Sequence, residues 1–348
     1  MPGKTHRIGK SLITLQKAFG DEENCLMFLE VARWPKGVRC LKCNGDKVAK
    51  FVTGKTKRMQ FRKSVGAMVE VETPARHLYK CQNPECGHNF SVTAGTIFND
   101  THLPLTTWFL AIGLMLNAKK GLSAKQMERD LDVSYKTTWY LCHRIRKAMD
   151  EGMSLFTGVV EVDETYIGGA YDRRRKRGPH EKQAVFGAVQ RATAEDHSKV
   201  RAFKIPTNST AILTGAVKGN VSAKAELLIS DEWRGYKAVG KEYRHETVKH
   251  IELEYKRKGD PRNIHTNSVE GFWSLFQRGL IGSFHQVSVK HLGRYINEFE
   301  YRFNHRRDEE LFAQTIINLV IQSGIRYKQL TAKVSEETFE SSVSNEPF

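Results

Sequence analysis

The 348-residue chain contains no run of 18 consecutive apolar residues, so no membrane-spanning helix is expected. Its first residues, Met1-Pro2-Gly3-Lys4-Thr5-His6-Arg7, lead into no apolar segment of the kind a secretory signal needs. No internal repeat is visible, which argues against a solenoid or propeller. Acidic residues are the minority: 39 stand against 55 Lys and Arg, a formal net charge of +16. That imbalance favours a polyanionic partner, most often nucleic acid. Cysteine is scarce as well. The six cysteines include one Cys-x-x-Cys pair, which suggests metal rather than disulfides and fits a reducing, cytoplasmic location.

What is present is a soluble, globular composition, 40% hydrophobic, in a chain long enough for two or three domains. Residues 1–37 read as a helical lead-in with one helix near Glu22 to Trp34, ended by Pro35 and Gly37. Residues 38–98 carry Cys40 and Cys43, then Cys81 and Cys86. Two short-spaced pairs can close a tetrahedral thiolate site around one structural Zn²⁺, each on a tight knuckle whose backbone amides soften the thiolate charge. The 37 residues between the pairs, 44 to 80, exceed the usual ribbon and predict an inserted hairpin. Lys57 and Arg58, in the run Lys55-Thr56-Lys57-Arg58, are placed at its tip as candidate phosphate contacts. Cys25 and Cys142 stand alone and read as core.

Residues 99–152 have helical periodicity throughout. Leu105, Trp108, Phe109, Ile112 and Leu116 form a stripe; Ser123 and Ser134 are N-cap candidates for two further helices separated by Asp132-Val133-Ser134. This is helix-turn-helix spacing. It leaves Tyr135, Lys136, Thr137 and Arg144 as candidate DNA contacts at the start and side of the second helix. A plain αα corner has the same spacing and capping.

Residues 153–310 change period. Strands are expected over Thr157 to Ile167, Ala184 to Gln190, Val200 to Ile205 and Ala225 to Asp231, with a helix from Thr210 to Val217 and a further short strand near Tyr243 to Ile251. A basic block, Arg173-Arg174-Arg175-Lys176-Arg177, interrupts the strands as a loop suited to phosphate. Asp163 lies inside the first strand and Asp231 ends the fourth. If those strands are neighbours, the two carboxylates meet. The stretch His265 to Arg278, wound as a helix, puts Val269, Phe272, Trp273 and Phe276 on one face and Asn267, Glu270, Ser274, Gln277 and Arg278 on the other. That polar face can bring oxygen ligands to the same point. Clustered hard oxygens suit two Mg²⁺ or Mn²⁺ ions acting on a phosphodiester. Residues 311–348 hold a last helix, Leu311 to Ile321, and a polar tail from Val334 expected to be disordered.

The order Val162-Asp163-Glu164-Thr165-Tyr166-Ile167-Gly168-Gly169, Ser230-Asp231-Glu232-Trp233-Arg234-Gly235-Tyr236 and His265-Thr266-Asn267-Ser268-Val269-Glu270-Gly271-Phe272-Trp273-Ser274 resembles the DDE-type transposases of bacterial insertion sequences. It resembles in particular their family fifteen-ninety-five, related to the Merlin elements, which also carries an N-terminal zinc ribbon. The resemblance covers roughly residues 20–310. It implies a multi-domain α/β protein: an RNase H-like mixed sheet with flanking helices, preceded by a small zinc ribbon and a helix-turn-helix segment. It also implies Mg²⁺-dependent cutting at terminal inverted repeats and strand transfer into target double-stranded DNA, by a homodimer holding two ends at the bacterial nucleoid.

Asp163 and Asp231 would then be two metal ligands. Thirty-five residues, 232 to 266, separate Asp231 from Asn267, which resembles the spacing to the third ligand and favours Asn267 as its positional equivalent. Glu270, one turn on, is charged and can share or replace that role. His265 is a candidate supporting residue, and Arg278 a candidate phosphate clamp. Two other functions share these features: a DNA-binding regulator with an inert core, and a nuclease without strand transfer.

Overall fold

The computed structural model describes residues 11–62, 66–73, 76–152, 154–168, 182–194, 196–248 and 263–332. The basic block Arg173 to Arg177, the basic loop at 257–262 and the polar tail from Val334 lie outside the described residues. Two helices open the structure, α1 (Leu12–Phe19) and α2 (Glu22–Arg33). Only the second was expected; eight residues give α1 too few turns for its stripe to stand out. Phe19 of α1 is set edge-on to Phe28 and Phe109. The Asp21 carboxylate caps α2 by accepting from the Asn24 amide at 2.8 Å.

Strands β1 (Val48–Val52), β4 (His77–Cys81) and β5 (Asn89–Phe90) form a small antiparallel sheet, and β2 (Thr56–Arg62) pairs with β3 (Ala67–Thr73) as the inserted hairpin. The position of its tip is corrected. Lys57 and Arg58 lie in β2 itself, and the chain reverses near Gly66, whose φ of 66° suits a turn. Lys57 faces Glu70 across the hairpin at 3.2 Å. Helices α3 (Leu105–Asn117), α4 (Ala124–Leu131) and α5 (Tyr135–Ala148) follow. Ser123 caps α4 by accepting from the Gln126 amide at 3.1 Å. Ser134 stands at the α5 N-cap, but its hydroxyl pairs with the Thr137 hydroxyl and makes no backbone cap.

The second half is built on five strands: β6 (Val159–Ile167), β7 (Gln183–Gln190), β8 (Lys199–Lys204), β9 (Leu227–Asp231) and β10 (His245–Val248), in the order β10-β9-β6-β7-β8. The β6, β7 and β8 pairings are antiparallel, whereas β9 runs parallel to β6 and β10 parallel to β9. Alternation along the strands gives the sheet two apolar faces. Val160, Val162 and Phe186 pack on α6 (Thr210–Asn220) through Leu213 and Val217. Val185, Val189 and Val200 pack on α7 (Asn267–Gly279) and α8 (Val289–Asn304) through Phe272, Trp273, Phe276 and Phe299. The outer edge of β8 is closed by α8 side chains: Asn304 accepts from the Val200 amide at 2.7 Å and donates to its carbonyl at 2.9 Å, and Glu300 accepts from the Ala202 amide at 3.0 Å. An edge so occupied cannot pair with another strand.

The last helices, α9 (Leu311–Ile321) and α10 (Tyr327–Thr331), return to the N-terminal half. Leu311, Phe312, Ile316 and Leu319 share one core with Leu15, Leu29, Tyr79, Phe90 and Phe109. Segments expected as four units, 1–37, 38–98, 99–152 and 311–348, thus contribute to a single core. This half is joined to the sheet half by a buried cluster in which Glu298 of α8 accepts from Arg146 of α5 at 2.6 Å and lies 3.4 Å from Arg302. Among the described residues no helix is long and apolar enough to cross a membrane.

Candidate active site

The site starts from two parallel neighbours. Val159, Val160 and Glu161 of β6 pair with Leu227, Leu228 and Ile229 of β9. Two residues further in the same register, Asp163 comes level with Asp231 at the end of β9. The strand beside Asp163 stops there, which opens the sheet edge on which both carboxylates sit. Asp231 also accepts from the Trp233 amide at 3.0 Å, a tight turn that holds the carboxylate at the strand end.

Helix α7 completes the site, and two contacts fix how it lies. Near its start the Glu161 carboxylate accepts from the Ser268 amide at 2.7 Å and the Val269 amide at 3.1 Å. Near its end Gln277 donates to the Thr165 hydroxyl at 3.3 Å. Four strand residues span about 13 Å and nine helix residues about 13.5 Å, so α7 runs alongside β6 in the same direction. An independent contact gives the same level: Gly187 of β7 pairs with Asp163, and a Cβ built on Gly187 would stand 2.4 Å from the Trp273 ring. Glu270 lies two turns before Gln277 on the same, β6-facing edge. It is about 10.5 Å back along the axis, which sets it between Glu161 and Asp163. Asn267 is roughly 4.5 Å further back and rotated about 60° away from the sheet, and it is exposed. The Thr266 hydroxyl donates to Glu270 at 2.6 Å. Arg278 is exposed at the far end of α7, about 16 Å along the axis from Asn267.

The electrostatics match this placement. The Asp163 carboxyl is pushed up to about 8, first by burial, then by the Asp231 carboxylate, with Glu164 and Glu270 adding to it. Glu164 is raised as well, chiefly by burial and against the hydrogen bond it accepts from the Tyr236 hydroxyl at 2.7 Å. Carboxylates crowded in this way disfavour the charged form of Asp163, and hard oxygens of this kind fit a divalent cation such as Mg²⁺. They are not gathered as tightly as the four thiols described next.

The Sγ atoms of Cys40, Cys43, Cys81 and Cys86 all lie within 4.8 Å of one another. Cys40 to Cys86 is 3.7 Å and Cys43 to Cys81 is 3.6 Å, close to the edge of about 3.8 Å that a tetrahedron with Zn–S bonds of 2.3 Å possesses. Amide donors of the knuckle, Cys43 first and then Lys42, hold the Cys40 thiol down to about 6, while burial and the neighbouring thiols hold Cys81 and Cys86 up, so the first thiolate of the cluster falls on Cys40. The cluster fits one structural Zn²⁺.

Of the residues expected to meet DNA, Tyr135 and Lys136 are exposed at the start of α5, Thr137 is half-buried and Lys57 is exposed on the hairpin. Arg144 is a correction. It is buried, with its guanidinium donating to the carbonyls of Ile97 and Asn99 at the end of the ribbon and lying over the Trp108 ring. The exposed residues of α5 are Tyr135 and Lys136 in its first turn, and from Leu141 to Arg146 the helix is buried. Sequence reasoning missed Glu161, Arg191, Tyr236 and Gly187. The one signal was Glu161 itself, a charge within the apolar run Val159-Val160-Glu161-Val162.

Two family models match the chain. One, an ISXO2-like transposase domain, spans residues 156–304; the other, a transposase zinc-ribbon domain, spans residues 20–89. Together they take in more than half of the chain. The chain carries both a transposase domain and a zinc ribbon of the kind found in insertion-sequence transposases. The transposase domain contains the whole five-stranded sheet with Asp163, Asp231, Asn267 and Glu270, and the ribbon match contains all four zinc-site cysteines. Over 304 residues the chain is also 28% identical to an uncharacterized protein in transposable element ISH50 of Halobacterium salinarum, a match that covers 82% of this chain and 92% of that protein.

Proposed function

We propose that this transposase cuts the ends of its own element and joins them to target DNA, using Asp163, Asp231 and Glu270 as the charged groups of an RNase H-like site. The observation that carries this is the parallel pairing of β6 with β9, which brings Asp163 level with Asp231 beneath the β6-facing edge of α7. Three antiparallel strands followed by two parallel ones, with the acids on the first and fourth, support the RNase H-like assignment.

The chemistry is two phosphoryl transfers. In cleavage a water oxygen bonds to phosphorus and the 3′ oxygen leaves. In joining, the freed 3′ hydroxyl bonds to a target phosphorus and a second 3′ oxygen leaves, so one ester replaces another. Two Mg²⁺ or Mn²⁺ ions held by Asp163, Asp231 and Glu270, with the Asn267 amide oxygen within reach of the same end of α7, would activate the attacking oxygen and stabilise the leaving one. The protein's part is to hold the acids in place. Tyr236 and Asn208 hold Glu164 beside Asp163, and the turn to Trp233 holds Asp231. Glu270 takes the third position ahead of Asn267 because it is charged and nearer to Asp163. The N-terminal half supplies the exposed Tyr135, Lys136 and Lys57 for the inverted repeats, and holding two ends calls for a homodimer.

The test is a joining assay with labelled duplex element ends, a supercoiled target and Mg²⁺. End cleavage with joined product supports the proposal. Nicking without joining would make the protein a nuclease, and end binding without metal-dependent nicking would make it a DNA-binding regulator.

A further inference from the structure

Helix α7 begins without a cap of its own. Thr266 stands at its N-cap position and makes no side-chain cap bond, so the first amides of the helix need partners from elsewhere. They find one 107 residues away. Glu161, fully buried, accepts from the Ser268 amide at 2.7 Å, the Ser268 hydroxyl at 2.8 Å and the Val269 amide at 3.1 Å. Its charge is matched by Arg191, which donates to it at 2.6 Å. The same guanidinium donates to the carbonyls of Asn263 and His265 at 2.7 and 2.8 Å and to His265 Nδ1 at 2.9 Å. Since arginine only donates, His265 Nδ1 accepts in that contact, and it also lies 3.3 Å from the Asn267 amide, the first of the helix.

Glu161 lies two residues before Asp163 on the same strand, and therefore on the same face. The strand that carries one acid of the site thus grips the first turn of the helix that carries another. We propose that Glu161, through Arg191 and His265, is the positioning residue of the active site: it sets where α7 starts along β6, and hence how close Glu270 stands to Asp163. A carboxylate serves this purpose better than an amide, because negative charge is favoured at a helix N-terminus and glutamate accepts from all three helix donors and from Arg191 at once. This rests on the proposed role of Glu270, but it concerns the seating of the helix and can be measured without DNA.

The test compares the wild-type chain with Glu161→Gln. Amide exchange of the peptide spanning residues 264–273 is followed by mass spectrometry, and Mn²⁺ binding by the electron paramagnetic resonance of the free ion. Glu161→Gln is expected to speed exchange at the start of α7 while β7 and β8 stay protected. It is also expected to weaken Mn²⁺ binding by about tenfold to a hundredfold, the effect of losing a partner that orients a metal ligand. In cleavage assays the Mg²⁺ needed for half-maximal rate should rise and excess Mg²⁺ should recover most of the rate. A merely structural role would lower the active fraction and leave that half-point unmoved. If Glu161→Gln fails to fold, Ser268→Ala removes one helix-side contact and should shift Mn²⁺ affinity in the same direction by a smaller factor. Unchanged exchange and unchanged Mn²⁺ affinity in a folded variant overturn the inference. Loss of wild-type Mn²⁺ dependence in cleavage, with the exchange result intact, would instead overturn the proposed reaction.

Discussion

Gln277 of α7 donates to the hydroxyl of Thr165 on β6, and that bond decides which edge of the helix faces the acidic strand. Glu270 shares the edge and Asn267 does not. Glu270→Ala is therefore expected to lower Mg²⁺-dependent end cleavage by about a hundredfold or more, the scale on which charge-stabilising groups act. Asn267→Ala should cost less than about tenfold, under roughly 1.4 kcal/mol of barrier. Single-turnover cleavage of a labelled end measures both, and the reverse ranking would return the third position to Asn267.

Gly187 offers a test of the helix seat from the opposite side. A Cβ there would stand 2.4 Å from Cζ2 of Trp273, in the strand position paired with Asp163. Gly187→Ala should destabilise the protein by about 1–3 kcal/mol, the usual cost of overpacking, and slow cleavage because α7 must lift. Trp273→Leu in the same background should recover part of the stability. Urea unfolding and single-turnover cleavage read the two effects.

For the ribbon, the purified chain is expected to hold one Zn²⁺, measured by elemental mass spectrometry after loosely bound metal is removed. Cys40→Ser or Cys86→Ser should lose it and lower the melting temperature, because the ribbon's Tyr79 and Phe90 are part of the common N-terminal core. Cys25→Ser and Cys142→Ser should keep it. Both thiols are buried away from the cluster, and burial pushes them up to about 12 and about 11, so they stay protonated.

Acid sensitivity is expected from His143 of α5. It is fully buried with neither ring nitrogen hydrogen-bonded, and burial first, with Arg146 next, holds it down to about 2. The folded protein keeps this ring neutral while the unfolded chain protonates it near 6.5. The unfolded state then binds the extra proton. Stability is therefore full above pH 6.5 and falls as pH drops towards 2, by about 1.4 kcal/mol per pH unit from this group. His143→Leu should flatten that part of the profile, which denaturant melts from pH 7 to pH 4 would show.

How much of this was legible follows the range of the interactions. The thiol pairs, the strands that carry the two acids and the stripe Val269, Phe272, Trp273, Phe276 are local patterns, and each appears where its spacing placed it. Strand order was legible only as a condition: Asp163 and Asp231 meet if β6 and β9 are neighbours, which pairing between residues 68 positions apart decides. The grip of Glu161 on α7 could not be read, because no local pattern joins a strand residue to helix amides 107 positions on. Arg144 was misjudged for the same reason. Its position on α5 is compatible with solvent until the ribbon carbonyls of Ile97 and Asn99 close over it. The hairpin tip was misplaced because a basic run suggests a turn, while the backbone reversal belongs to Gly66.

The most direct measurement is cleavage of a duplex element end by Asp231→Ala beside the wild-type chain, in Mg²⁺ and in EDTA, with end binding followed by gel shift. The expected result is wild-type cleavage that depends on Mg²⁺, and an Asp231→Ala protein that binds the end normally but does not cut it. Undiminished Mg²⁺-dependent cutting by Asp231→Ala would contradict the site at the junction of β6, β9 and α7.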